Sequence, residues 1–302
     1  MTIGGQAAKP LAATEHDDVV ALGVPDRLRN HPELRRRGVL LTQILKPTIV
    51  YRTHAPEGAP EFVAKIVKPE SDEAQIYRLL QSDSNPRNHT IPCEIIECAE
   101  QQPILLMPFL TSLDGAGMPD WLLSRMLSTF LQVVEAIVYL HDRNIVHLDI
   151  CNGNILIATE AEARADARLA AGRVYLVDFE TSRQLDAGPG VQHSIPIPPA
   201  QIKPPAGMDR FDPYSWDVYC LGKLFERMAK SVYWKRRAFP WAVSRIAQWI
   251  VGNEQGCADI CHCRPTARQT RRVIVVFLWA TRATEFVTAL AERALRLFKG
   301  SR

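Results

Sequence analysis

The feature that most constrains the fold is a change in hydrophobic periodicity near residues 110–118. Before this point, short runs rich in β-branched and aromatic residues alternate with turn residues, which is typical of antiparallel strands. Beyond it, apolar residues recur at helical spacing over a helix predicted at about residues 120–141. They are Leu123, Leu127, Phe130, Val134 and Ile137. The chain is therefore predicted to be an α+β protein with a strand-rich first lobe and a mostly helical second lobe.

The strand-rich lobe is predicted over residues 38–112. Its first three apolar runs, VLLTQIL, TIVYRT and EFVAKIVK, predict consecutive antiparallel strands. Residues 71–80 begin with an N-cap residue and early acids, which predicts a short helix. The runs IPCEIIEC and PILLMPFL then predict two more strands.

The rest of the chain divides into three further predicted parts. Residues 1–37 mix Ala, Gly, Pro and charged residues, and we expect a loosely ordered lead-in with one short helix. Residues 113–285 form the predicted helical lobe, which includes an Ala-rich helical insert at about 158–172 and a Pro-rich extended stretch at 194–205. Residues 286–302 are predicted to be a helical tail.

Composition excludes some partners and compartments. The 302 residues include 36 Lys and Arg against 33 Asp and Glu, so the net charge of +3 predicts no nucleic-acid partner. Seven cysteines without a small disulfide-rich framework favour reduced thiols. The opening run MTIGGQAAKPLAATEHDD lacks a basic segment followed by an apolar one, so we expect an intracellular protein, cytoplasmic or nuclear.

A membrane partner is not expected either. The longest late apolar stretch, Val273–Ala280, has eight residues before Thr281 and Arg282 interrupt it. A helix that spans a bilayer needs roughly 20 such residues. The sequence therefore predicts no transmembrane helix.

Two runs in the second lobe carry the chemistry, IVHLDICNGNIL at residues 145–156 and YLVDFE at residues 175–180. They supply Asp149, then Asn154 five residues later, then Asp178 after a predicted hairpin. Single acids of this kind are most often surface or capping residues. Together they supply what phosphoryl transfer requires, which is an acceptor for a hydroxyl proton and two oxygen ligands for Mg²⁺.

These two runs resemble the catalytic loop and the Asp-Phe-Gly motif of eukaryotic protein kinases. The resemblance implies that Asp149 is the catalytic base, that Asn154 and Asp178 hold Mg²⁺, and that His147 supports the loop. It also implies the bilobal α+β fold of that family. In this fold a small antiparallel β-rich N-lobe with one helix joins a larger, mostly α-helical C-lobe.

The run FVAK, which ends at Lys65, resembles the third-strand Val-Ala-Ile-Lys motif of the same family. Lys65 is then implied to bind the α- and β-phosphates of ATP. Its carboxylate partner on the following helix is predicted to be Glu73, with Glu70 as an alternative. The helix register could instead place Gln75 there, which would remove the ion pair.

Three further runs extend the resemblance over residues 39–280. In LLMPFL, the similarity implies that Met107 is the gatekeeper and that Pro108 to Leu110 lie along the adenine edge. In SWDVYCLG, Asp217 is implied to brace the backbone of the catalytic loop, and RPTA contributes Arg264 as a structural residue. The sequence also resembles those of the divergent kinase-like proteins of mushroom-forming fungi.

Departures from the family pattern bear on catalysis. The run QILKPT stands between the first two strands, where the family has a Gly-rich loop, so phosphate coverage by backbone amides is in doubt. Leu148 replaces an arginine that pairs with a phosphorylated activation segment. Cys151 replaces a lysine near the transferred phosphate. Glu180 replaces the motif glycine and restricts the backbone there.

A further departure concerns Arg264. The usual partner of this arginine is the glutamate of an Ala-Pro-Glu motif, and Ala206 occupies that position here. Arg264 then lacks its partner unless Asp209 or Asp212 serves.

The run CADICHC brings Cys257, Cys261 and Cys263 close together in sequence. Structural zinc sites normally have four placed ligands, often as two spaced pairs. The sequence has no second pair at zinc-finger spacing, and the run adjoins the RPTA motif. We therefore do not predict a zinc site from the sequence.

Three functions are compatible with these residues. The first is an ATP- and Mg²⁺-dependent protein kinase that phosphorylates Ser or Thr of a protein substrate. The second is a small-molecule phosphotransferase of the aminoglycoside or choline kinase type, where Cys151 and Glu180 would be ordinary. The third is a pseudokinase that binds or scaffolds. We favour the first, because a scaffold needs neither a base nor two metal ligands.

Overall fold

The computed structural model describes residues 23–54, 58–98, 101–205, 207–234, 240–252, 257 and 259–300. The helices are α1 Asp26–Arg29, α2 Pro32–Arg36, α3 Glu73–Gln81, α4 Leu123–His141, α5 Glu160–Ala165, α6 Pro213–Val232, α7 Trp241–Val251 and α8 Ala267–Gly300. The strands are β1 Leu41–Lys46, β2 Val50–Thr53, β3 Phe62–Ile66, β4 Glu94–Cys98, β5 Gln101–Pro108, β6 Thr111–Ser112, β7 Ile145–Val146, β8 Ile155–Ile157, β9 Val174–Leu176, β10 Arg183–Gln184, β11 Ile195–Pro196 and β12 Arg210–Phe211.

The N-lobe is a five-stranded antiparallel sheet in the order β1-β2-β3-β5-β4. The helix α3 is amphipathic and turns Ile76, Tyr77 and Leu80 into the core. The first three predicted strands, the helix and the two later strands are all present in the predicted order. The expected α+β architecture, with an antiparallel first lobe and a helical second lobe, is confirmed.

The end of the predicted lead-in packs on the sheet. Helices α1 and α2 bury Leu28 and Leu34 against the sheet residues Tyr51, Ala64 and Ile104. Two short helices therefore take the place of the single one predicted in residues 1–37, of which the first 22 lie outside the described residues. Burial of these leucines removes apolar surface from water and fixes the segment against the sheet.

The C-lobe is built around α4. This helix is apolar along much of its circumference, because α6 and the first part of α8 contact it on different sides. Phe130 on α4 lies with its ring centroid 4.7 Å from that of Phe225 on α6. The core so formed is continuous with the cluster that supports the catalytic-loop residues Leu148 and Ile150.

The segment between Asp178 and Pro205 is fixed to the C-lobe at two points. Near its start β10 pairs with β7, and near its end β11 pairs with β12. The Pro-rich part is otherwise without regular structure, as its prolines predict. We call residues 178–205 the activation segment below.

Helix α8 runs without interruption across the predicted boundary at residues 285 and 286. Two described helices are long and apolar enough to cross a membrane, judged by length and composition alone. In α4, 61% of the most apolar 18-residue stretch is buried. In the Ala267–Arg296 part of α8, the corresponding stretch has a mean hydropathy of 1.6, and 17% of it is buried. The apolar run Val273–Ala280 is part of a longer helix, in which Arg282 and Glu285 are the only charged residues between Val273 and Leu290. The lack of a membrane partner stays a prediction.

Candidate active site

A cleft of about 210 Å³ lies between the two lobes. Its apolar lining comes from both of them, and it consists of Leu45, Val50, Val63, Met107, Leu110, Leu156 and Val177. Met107 lies on β5 opposite Val63 of β3, and Pro108 lies opposite Phe62. The backbone N–H of Phe109 donates to the carbonyl of Glu61 at 2.8 Å. The segment predicted to follow an adenine ring is therefore held as one edge of this cleft.

Lys65 on β3 reaches Glu73 on α3, and the distance from Nζ to Oε1 is 2.8 Å. Burial of the ammonium works against its charge, but the attraction of Glu73 and Asp178 outweighs burial, so the pKa of Lys65 is raised. The lysine is therefore cationic at neutral pH. Of the candidates considered from the sequence, Glu70, Gln75 and Glu73, the structure places Glu73 on Lys65.

Asp178 closes the cleft from the C-lobe side. Its Oδ1 lies 2.6 Å from Nζ of Lys65, so one ammonium joins carboxylates of both lobes. Burial raises the pKa of such a carboxyl, but Lys65 overcomes this and the pKa of Asp178 is lowered. Its φ of 64° is a left-handed conformation, which directs the carboxylate into the cleft instead of along the strand.

The next residue, Phe179, points away from the cleft and is fully buried. Its ring contacts Tyr77 of α3 and His147 of the catalytic loop, with both centroid distances at 5.1 Å. Its backbone N–H donates to Oε1 of Glu73 at 3.1 Å. One residue therefore links α3 of the N-lobe to the catalytic loop.

Asp149 lies three residues after the end of β7 and is held by its neighbours. Asn154 donates from Nδ2 to the backbone carbonyl of Asp149 at 2.8 Å and to its Oδ2 at 3.0 Å. A short 3₁₀ helix, Asn152–Asn154, makes this reach possible. The predicted base and the predicted metal ligand therefore contact each other.

Asp217 holds the catalytic loop from beneath. Its Oδ2 accepts the backbone N–H of His147 at 2.9 Å, and its Oδ1 accepts that of Leu148 at 2.8 Å. Nε2 of His141 lies 3.0 Å from Oδ2. Because this carboxylate is fully buried, each bond is shielded from competing water. Asp217 therefore supports the backbone of this loop at two consecutive residues.

Leu148 adopts a left-handed backbone conformation with a φ of 66°, which is uncommon for a residue with a branched side chain. Its carbonyl accepts the indole Nε1–H of Trp216 at 2.9 Å, so both of its backbone polar groups are held by α6. The side chain is fully buried. A packed leucine therefore occupies the place where the family has a phosphate-binding arginine.

Gln201 is a site residue that sequence reasoning missed. Its backbone N–H donates to Oδ1 of Asp149 at 2.8 Å, and its side-chain Nε2 lies 3.5 Å from Oδ2. A backbone donor leaves no trace in the residue type, so no sequence signal could have identified it. The activation segment thereby contacts the predicted base directly.

Glu180 lies among lysines of the N-lobe. Its Oε1 is 2.5 Å from Nζ of Lys68, and its Oε2 is 3.7 Å from Lys65 and 4.0 Å from Lys46. Lys46 ends β1, and a short turn without glycine leads to β2. Acidic and basic groups therefore meet where the family has its glycine-rich cover.

Cys151 is buried within the catalytic loop, and burial raises the pKa of its thiol to about 11. It is therefore neutral at physiological pH and supplies no positive charge to the cleft. Ala206 lies outside the described residues, so its predicted position opposite Arg264 is not tested.

Arg264 is buried in the C-lobe near the start of α6. Its Nε donates to the carbonyl of Val251 at 2.6 Å, and Nη1 lies 3.3 Å from Oγ of Ser215. The guanidinium also lies over the rings of Phe211 and Tyr219, at 5.0 and 5.1 Å. These contacts fit the structural role implied by the resemblance.

A buried lysine–glutamate pair that faces two aspartates and an asparagine across an interlobe cleft is the arrangement of a protein kinase. The family model described as protein kinase domain matches residues 65–231, which is more than half of the chain. The chain belongs to this family. A protein of Acanthamoeba polyphaga mimivirus described as a "putative serine/threonine-protein kinase" is 42% identical over 60 residues. That match covers 20% of this chain and 17% of the viral protein's length.

Proposed function

We propose that the chain is an ATP- and Mg²⁺-dependent protein kinase that transfers a phosphoryl group to Ser or Thr hydroxyls of a protein substrate. One observation carries the proposal, which is the convergence of five polar side chains on a single cleft. Lys65, Asn154 and Asp178 line the cleft. Glu73 contacts Lys65, and Asp149 contacts Asn154. We also propose that the chain is related to the kinase-like proteins of mushroom-forming fungi, which its sequence resembles.

The cleft suits a purine nucleotide. Its apolar walls can enclose a flat ring, and the segment from Pro108 to Leu110 offers backbone groups along one side. Lys65, held cationic by Glu73, would then bind the α- and β-phosphates. In this arrangement the ion pair orients the lysine before the nucleotide arrives.

Asn154 and Asp178 fit Mg²⁺ by the chemistry of their donors. Both offer hard oxygen ligands, and Asn154 uses its Nδ2 on Asp149, which leaves its side-chain oxygen for a cation. When bound, Mg²⁺ would neutralise charge on the phosphates.

In the transfer step, the substrate hydroxyl oxygen bonds to the γ-phosphorus. The bond from that phosphorus to the β,γ-bridging oxygen breaks, and ADP leaves with the electron pair. Asp149 accepts the hydroxyl proton. Asn154 and Gln201 hold its carboxylate from two sides, so its orientation is set before the substrate binds.

The test combines nucleotide binding with transfer. We expect Mg²⁺-ATP to raise the melting temperature far more than ATP with EDTA, because binding to the native state stabilises by mass action. Asp178→Ala should remove the difference. Asp149→Ala should keep the shift and abolish transfer to a Ser/Thr peptide library. A metal-independent shift, or none at millimolar nucleotide, would favour the pseudokinase, and transfer to aminoglycosides or choline alone would favour the small-molecule enzyme.

A further inference from the structure

Three thiols meet in the loop between α7 and α8, and none of them lines the nucleotide cleft. The Sγ atoms of Cys257, Cys261 and Cys263 form a triangle with edges of 3.5, 3.6 and 3.5 Å. These cysteines are part-buried to exposed. The three pairs therefore have nearly the same separation, although Cys257 and Cys261 are four positions apart in sequence and Cys261 and Cys263 only two.

The size of the triangle distinguishes its possible chemistries. A disulfide would bring two sulfurs to about 2.05 Å and leave the third apart. Four sulfurs around one zinc ion, each about 2.3 Å from the metal at tetrahedral angles, are separated by about 3.8 Å. The observed edges are within a few tenths of an ångström of this second value.

We propose that these three thiols are a structural metal site that binds Zn²⁺ as thiolates. Soft sulfur ligands in tetrahedral geometry select zinc over magnesium or calcium. Among the described residues, the cluster that could hold a metal contains these three ligand atoms. The fourth position falls to water or to the imidazole of His262, which is exposed and lies between two of the ligands in sequence.

The surroundings support a cluster of negative sulfurs. Nη1 of Arg264 lies 3.6 Å from Sγ of Cys261, and this guanidinium is nine-tenths buried. A buried cation next to thiolates offsets the net negative charge that three of them retain with Zn²⁺. The backbone N–H of Cys261 donates to Oδ2 of Asp212, whose Oδ1 caps the N-terminus of α6.

The loop also holds the activation segment. Oδ1 of Asp259 accepts the backbone N–H of Ser194 at 2.7 Å, and its Oδ2 lies 2.7 Å from Nδ1 of His193. Metal binding would fix the loop that carries Asp259 and the end of α6 that carries Asp217. The site would thus stabilise both the activation segment and the support of the catalytic loop.

The first measurement is metal content, which does not depend on kinase activity. The reduced full-length chain is purified, reconstituted with Zn²⁺ and desalted, and we expect one zinc ion per chain by elemental analysis. Titration with a mercurial that caps thiols should release that ion as three thiols react. Co²⁺ in place of Zn²⁺ should give the visible absorption of a tetrahedral thiolate site.

The variants separate a site from adventitious binding. Cys263→Ser changes the most exposed ligand and should fold, yet lose the zinc and the cobalt spectrum, as should Cys261→Ser. Cys93→Ala is the matched control, because Cys93 is a part-buried thiol in the N-lobe, and it should bind one ion. A change in the cobalt spectrum of His262→Ala would assign the fourth ligand, and an unchanged spectrum would assign water. Zinc below a tenth of an ion per reconstituted chain, or a disulfide between two of the three cysteines under reducing purification, would overturn the proposal.

Discussion

Oε1 of Glu180 lies 2.5 Å from Nζ of Lys68, and Oε2 of the same carboxylate lies 3.7 Å from Nζ of Lys65. This acid therefore connects the activation segment to the lysine that is implied to bind phosphate. Its negative charge stands beside the place where ATP phosphates would lie, and like charges at such distances repel.

The first prediction follows from that position. Glu180→Gln should tighten binding of metal-free ATP several-fold, because a negative charge is removed from beside Lys65. Calorimetry in EDTA measures the affinity. Glu160→Gln, on the exposed face of the insert, is the control and should leave it unchanged. Unchanged metal-free binding together with weaker Mg²⁺-ATP binding would show instead that Glu180 holds the metal.

The second prediction concerns the strained backbone of Leu148. Trp216→Phe should lower the free energy of unfolding by about 1–3 kcal/mol, because a buried carbonyl loses its only indole donor. Urea unfolding followed by circular dichroism measures this change. Trp279→Phe alters a 69% exposed indole on α8 and should change stability by less than about 0.5 kcal/mol. Equal effects in both variants would contradict the proposed support of Leu148.

The third prediction is a pH dependence. The pKa of Asp178 is lowered from 3.8, so its carboxylate contributes stability that is fully present above that value and is lost as pH falls through the lower folded pKa. The stability difference between wild type and Asp178→Asn should therefore be constant near neutrality and shrink below pH 3.8. Urea midpoints at a series of pH values measure it. A stability difference that grows as pH falls would show that Lys65 does not lower the pKa of Asp178.

The fourth prediction concerns Gln201. Its backbone N–H contacts Asp149, so Gln201→Pro, which removes that donor, should lower kcat at least tenfold while Mg²⁺-ATP affinity stays within a few fold. Gln201→Ala keeps the N–H and should stay close to wild type. If the two variants behave alike, the side chain or the loop shape matters, not the backbone bond.

The fifth prediction is that activity does not require phosphorylation of the activation segment. Leu148 offers no donor to a phosphate, and the segment is already paired at both ends. Ser182 is buried, and its hydroxyl donates to the carbonyl of His147, as does that of Thr181. Phosphatase treatment should leave the transfer rate within a few fold, as should Ala at Thr181, Ser182 and Ser194 together. A hundredfold loss in either experiment would show that another basic residue binds a phosphate.

Much of the architecture could be predicted, because the order of residues within short segments determines it. Strand alternation, the helix stripe from Leu123 to Ile137 and the order of Lys65, Asp149 and Asp178 are all properties of neighbouring residues. The sequence favours Glu73 as the partner of Lys65 but leaves Glu70 and Gln75 open, because no side-chain hydrogen bond from the N-cap Asp72 fixes the start of α3.

Other features depend on contacts between distant segments, and no local pattern contains them. The Gln201 donor is a backbone group, and its contact with Asp149 joins residues that are 52 positions apart in sequence. The three cysteines are close in sequence, yet only the fold of the loop decides whether their sulfurs form a closed triangle. A helix can continue through a single charge such as Arg282, so the length of an apolar run does not give the length of α8.

The insert between β8 and β9 depends on one carboxylate. Oε2 of Glu162 accepts the N–H of Thr159 to complete a capping box for α5, while Oε1 accepts the backbone N–H and the hydroxyl of Thr111, directly after the adenine edge. Insertions before and after Glu162 should therefore have different effects. Added sequence, such as a tag or a fluorescent domain, can enter at the exposed turn after α5 without reaching the cleft. The same addition before Glu162 would separate its carboxylate from Thr111, which follows the edge of the cleft. The insert should therefore tolerate added sequence after α5 but not before Glu162.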